Sequence, residues 1–174
     1  MPSIFLRRPS ASTRAHTGLR GFLFVWLPAI LGMIVIAIES TPTFSAAHTS
    51  RFLRPFAEFL FGHISDPNWD ETNHLIRKSG HFLGYGTLCL LFFRSWLWTL
   101  AANLRLPDGV WRLRAWLLAI LSTFVVASCD EIHQSFLPSR TGKFTDVLLD
   151  TCGGLILSLL LLALTASKRR KYSA

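Results

Sequence analysis

Between Ser128 and Gly154 the chain reads SCDEIHQSFLPSRTGKFTDVLLDTCGG, which carries the carboxylates Asp130, Glu131, Asp146 and Asp150 with His133, Gln134, Arg140 and Lys143. A second polar set, Lys78, His81 and Tyr85, lies ahead of it. Such groups can move protons: Asp130 or Glu131 as general base, His81 as acid or base, and Arg140 as a clamp on developing negative charge. They can equally hold a ligand without transforming it. Lys78, His81, Tyr85, Gln134, Arg140, Asp146 and Asp150 together offer donors and acceptors to a lipid headgroup or an amphiphile. A divalent cation on Asp130, Glu131 and Asp146 would suit hard oxygen ligands. No HExxH and no paired Cys/His spacing accompanies them, so no metal and no cofactor is expected. No Ser or Cys sits in a nucleophile motif, which weighs binding ahead of catalysis.

Each of these residues also has a plainer role. Asp130 and Gln134, four apart, could be a wetted helix end, and Asp146 a negative charge at a helix N-terminus. Arg140 could be a loop clamp paired with either aspartate. His133 points away from the Asp130–Gln134 face, and His48, His63 and His74 are isolated; solvated roles suit all four. Asp150 and His81 are harder to set aside. Each lies one turn inside an apolar helix and needs a partner there.

The elements that must position these groups are apolar. Gly21–Ile38, Gly80–Leu100, Leu113–Cys129 and Val147–Ala166 are each near the ~20 residues that cross a bilayer. The fold class expected is therefore all-α: a bundle of four transmembrane helices, with little chain left for a soluble core. Three polar helix ends then meet at one depth: Lys78, His81 and Tyr85; Asp130, Glu131 and Gln134; Asp146 and Asp150.

The chain has 174 residues and a net charge of +8. Its cations cluster at span ends: Arg7, Arg8, Arg14 and Arg20; Arg105, Arg112 and Arg114; Lys168, Arg169, Arg170 and Lys171. The positive-inside rule places both termini in the cytoplasm and the polar groups outside. Topology thus accounts for the basicity, and no nucleic-acid partner is expected. Residues 1–20 read as a basic, disordered cytoplasmic tail, 21–166 as the membrane domain and 167–174 as a second basic tail. The first span reads as retained. A cleaved signal ending near Ala47 is the alternative, although its apolar run is long for one.

Within the first span Pro28 should kink the helix, and Gly32 permits close packing. Arg51–Phe61 puts Phe52, Phe56, Phe59 and Leu60 on one face, as suits a short helix lying in the membrane interface. Packing on the protein's own spans is the alternative. Asp66-Pro67 reads as an N-cap followed by proline, opening a helix that runs into the second span. Trp69 suits an interface anchor, Gly80 and Gly84 a helix approach, and Arg94 a snorkel to the inner headgroups. Cys89, Cys129 and Cys152 read as buried free thiols.

Lys78-x-x-His81-Phe82-x-x-Tyr85, then Asp130-Glu131-x-x-Gln134-x-Phe136-x-Pro138-x-Arg140, then Asp146-x-x-x-Asp150-x-x-Gly153, resemble the VanZ-like family of small integral membrane proteins. The resemblance covers roughly residues 20–166. It implies four spans, a cell-membrane location, membrane lipids as partners and a polar site, rather than a particular reaction. The family takes its name from a protein linked to resistance to the glycopeptide teicoplanin, so a role in the envelope or in resistance is implied too. This chain has Asp150 where the family usually has asparagine. The competing expectation is a membrane enzyme acting on an envelope lipid. Four spans with no charge near mid-bilayer weigh against a transporter.

Overall fold

The computed structural model describes residues 4–5, 8–9, 18–101, 106–138 and 140–173, with side chains to residue 166. All the regular structure of these residues is helical: α1 (Gly18–Glu39), a 3₁₀ turn (Pro42–Phe44), α2 (Ala46–Phe61), α3 (Asp66–Ala101), α4 (Asp108–Ser135) and α5 (Phe144–Ser173). The cations Arg7, Arg14 and Arg105, and the side chains of Lys168, Arg169, Arg170 and Lys171, lie outside the described residues.

Helix α3 is the axis of the bundle. It packs on α5, α4 and α1, and α4 packs on α5. Among the described residues three helical segments are long and apolar enough to cross a membrane: Gly18–Glu39, Asp108–Ser135 and Phe144–Ala166. The expected span in α3 is not among them. The cause is compositional, since it carries His81, Arg94, two tryptophans and three glycines. Arg94 and Gly86 of this stretch meet α1 and α5.

The α4 seam explains how the helices come close. Trp111, Ala115, Ala119, Thr123 and Ala127 recur every four residues, and all are buried. After Trp111 the side chains of this stripe are small, which lets backbones approach. The same register, carried one turn further, turns Asp130, Glu131 and Gln134 inward and leaves His133 exposed. Gly80 and Gly84 do not serve this purpose, as a side chain at either would meet nothing within 4 Å. The close contacts of α3 lie at Gly86, against Leu157 and Gly153, and at Phe82, whose carbonyl abuts Gly153.

Pro28 lies inside α1 and has no N–H for Phe24 O. Arg94 and Ser95 of α3 supply donors there. Arg94 Nη2 donates to Phe24 O at 3.1 Å and Nη1 to Val25 O at 3.0 Å, while Ser95 Oγ donates to Val25 O at 2.8 Å. Arg94 therefore ties α1 to α3 instead of reaching for headgroups. Gly32 packs against Leu88 and Leu91, as its place in the span suggested.

Several local expectations change. Trp69 is not an interface anchor: it is only 2% exposed, and its indole donates to Ser50 Oγ on α2. The cap of α3 is Ser65 rather than Asp66, because Trp69 N donates to Ser65 O at 2.9 Å. Helix α2 begins five residues earlier than its apolar stripe. Its Phe52, Phe56 and Phe59 are exposed, so they do not pack on the protein's own spans. The described part of the N-terminal segment is packed, not disordered. Ile4 is buried, Phe5 lies 5.6 Å from Phe93 between ring centroids, and Arg8 pairs with Asp108 at 3.3 Å. All three cysteines are free, but only Cys89 is buried.

Candidate functional site

The polar residues of α3, α4 and α5 converge at one end of the bundle. Lys78, His81 and Tyr85, spaced by three and four, share the face of α3 that meets the other two helices. Each finds a carboxylate. Lys78 Nζ pairs with Asp146 in the first turn of α5. His81 Nδ1 stands 3.6 Å from Asp150 Oδ2, one turn deeper. Tyr85 Oη donates to Asp130 Oδ2 at 2.9 Å, and Gln134 Nε2 donates to the same oxygen at 2.9 Å. The rings of His81 and Tyr85 stack with centroids 6.2 Å apart.

The loop between α4 and α5 is fastened to the helix it leaves. Glu131 Oε2 accepts the Lys143 backbone N–H at 2.7 Å. The backbone also presses on α4 at Gly142, where a Cβ would stand 2.1 Å from Glu131 O. Only glycine fits there. Asp146, placed three residues into α5, adds negative charge where the helix dipole favours it.

Arg140 is a clamp, but on different partners from those its sequence position suggested. Its Nη2 donates to Glu39 O at 2.8 Å, Thr41 O at 3.1 Å and Phe44 O at 2.9 Å. It thereby closes the end of α1 and the 3₁₀ turn onto the α4–α5 loop. The physical reason is the supply of acceptors. The last carbonyls of a helix have no intrahelical donor, whereas Asp130 and Asp146 already have theirs. Burial, with Arg77 nearby, holds the Arg140 guanidinium below its usual pKa, against the pull of Asp130 and Glu131.

A polar cavity of about 180 Å³ lies among these groups, walled by Arg77, Lys78, His81, Glu131, Arg140 and Asp150, with Gln134, Lys143 and Asp146 alongside. Of the candidate catalytic groups, Glu131 and His81 face it. Asp130 does not; it lies behind the wall with Tyr85. His74, Arg77, Thr141 and Lys143 also face the cavity, and sequence reasoning did not assign them to it. Arg77 was findable, since it precedes His81 by one helical turn.

An apolar cavity of about 480 Å³ adjoins the polar one, between α1 and α3. Gly32, Ile36, Gly80, Gly84, Leu88 and Leu91 are among its lining residues. Arg77, His81 and Arg140 line both cavities. Gly80 and Gly84, which bring no helices together, are what leaves this groove open.

Among the described residues no group of three or more His, Cys, Asp or Glu side chains could hold a metal ion. No curated protein and no solved structure matches the chain. The family model described as VanZ/LLP1 matches it from residue 23 to residue 165, across the helices that build both cavities. The chain is a membrane protein that belongs to the VanZ-like family.

Proposed function

We propose that this protein binds a lipid or other amphiphile at the outer surface of the cell membrane, with the headgroup in the polar cavity and the hydrocarbon in the α1–α3 groove. The observation that carries this is the sharing of Arg77, His81 and Arg140 between a charged cavity and an apolar one. Ligand sites combine a mostly apolar wall with a few convergent polar groups. A soluble polar ligand would have no use for the groove, and pure hydrocarbon none for the charges. In this arrangement α3 is the fourth span, both termini are cytoplasmic, and the exposed phenylalanines of α2 lie in the outer interface. Binding is favoured over catalysis because Asp130 is engaged by Tyr85 and Gln134 away from the cavity, and one oxygen of Glu131 is held by the Lys143 backbone.

The test is Gly84→Leu. A Cβ at this position meets nothing within 4 Å, and Gly84 lines the groove, so the added side chain fills space there. Lipid that co-purifies with the protein, measured by mass spectrometry per mole of chain, should fall severalfold at unchanged thermal stability. Sensitivity of cells to a glycopeptide such as teicoplanin is the phenotype to follow beside it. Equal lipid on both proteins would refute the assignment of the groove.

A further inference from the structure

Two polar groups in the wall of the polar cavity lack hydrogen-bond partners, and they are of opposite kind. Asp150 is 0% exposed, and neither of its carboxylate oxygens receives a hydrogen bond. His81 Nδ1, at 3.6 Å, is too far to donate one. The Nε–H of Arg140 is likewise buried and finds no acceptor. Both side chains line the same cavity. Leaving a buried donor or acceptor unsatisfied is costly, and more so for charged groups. A single occupant that carries both a cationic donor and an anionic acceptor would satisfy both.

The rest of the wall supports this division of labour. Lys78 and Asp146 neutralise each other. Glu131 has one oxygen engaged by the Lys143 backbone. Arg77 and Arg140 stand on the side shared with the apolar groove, where a phosphate joined to hydrocarbon would lie. Asp150 does not line that groove and belongs to the polar cavity alone. At about 180 Å³ the cavity suits a small headgroup.

Resting on the amphiphile reading above, we propose that the site selects a zwitterionic lipid with a phosphoethanolamine headgroup, its phosphate at Arg77 and Arg140 and its primary ammonium on Asp150. A primary ammonium brings three N–H donors to a carboxylate that has none. A quaternary ammonium brings charge without donors, and a glycerol headgroup brings hydroxyls without charge. The apolar groove points to a bilayer lipid as the source rather than the free headgroup.

The experiment uses the full chain in phosphatidylcholine vesicles doped with equal minor fractions of phosphatidylethanolamine and phosphatidylglycerol, all with matched acyl chains. Lipid retained after mild extraction is read by native mass spectrometry. The wild-type protein should retain phosphatidylethanolamine over both other lipids by about tenfold, the worth of one charge-assisted hydrogen bond. Asp150→Asn keeps the side-chain size and should bring that ratio near one while lipid is still retained. The ratio is taken within one sample, so a misfolded fraction cancels. Equal retention of all three lipids by the wild type would overturn the headgroup assignment and leave the amphiphile reading standing. Retention of none would overturn both. Preference kept in Asp150→Asn would remove Asp150 from the proposal. Displacement of phosphatidylethanolamine by an equal concentration of soluble phosphoethanolamine would overturn the lipid as the source.

Discussion

Gly153 carries the contact on which the alignment of the site depends. A Cβ there would stand 2.2 Å from Phe82 O and 3.0 Å from Phe82 C, both backbone atoms of α3. Backbone cannot swing aside as a side-chain tip can, so in Gly153→Ala helix α5 must back away by about 1 Å to reach ordinary contact distances. Overpacking of this kind costs roughly 1–3 kcal/mol, and alanine's better helix propensity returns up to about 1 kcal/mol. A net loss of about 1–2 kcal/mol corresponds to a fall in Tm of roughly 2–8 °C for a chain this size. The matched control is Gly84→Ala, where nothing lies within 4 Å and only the propensity gain remains. Thermal unfolding of both variants in one detergent, followed by circular dichroism, makes the comparison. The α3–α5 interface also holds the Lys78–Asp146 and His81–Asp150 pairs. Gly153→Ala should therefore lose bound lipid as well as stability, while Gly84→Ala should lose no stability. Wild-type stability in Gly153→Ala, or a loss confined to Gly84→Ala, would refute the packing described here.

Tyr85→Phe removes one of the two donors to Asp130 Oδ2 and leaves Gln134 as the other; a buried hydrogen bond lost in this way should cost about 1–3 kcal/mol, seen as a lower denaturation midpoint with little change in lipid retention, because neither Tyr85 nor Asp130 faces the cavity. For topology, reporter fusions at Asp66 and Lys143 should read outside, and fusions at Pro107 and the C-terminus inside. An outward C-terminus would move the site to the cytoplasmic face and overturn the positive-inside assignment.

Much of the candidate site was legible in the sequence. The spacing of Lys78, His81 and Tyr85 put them on one helical face, and the carboxylates needed partners because they adjoin apolar runs. Those partnerships formed as Lys78–Asp146 and His81–Asp150. Periodicity also set His133 outside and Gln134 inside. These are consequences of the 3.6-residue repeat, a property local to each helix.

What the sequence determined, then, is the set of helices and which residues each turns toward its neighbours. Only the tertiary structure decided what meets what. Arg140 lies far along the chain from Glu39, Thr41 and Phe44, and its bonds to their carbonyls arise because the end of α1 and the turn after it present acceptors beside the α4–α5 loop. Arg94 was drawn to the carbonyls beside Pro28 for a similar reason. Gly80 and Gly84 looked like a helix contact and became the open side of a groove, while Gly153 took the contact. A glycine's role depends on which backbone arrives opposite it, and that is fixed by how α1, α3 and α5 pack, which no local spacing encodes.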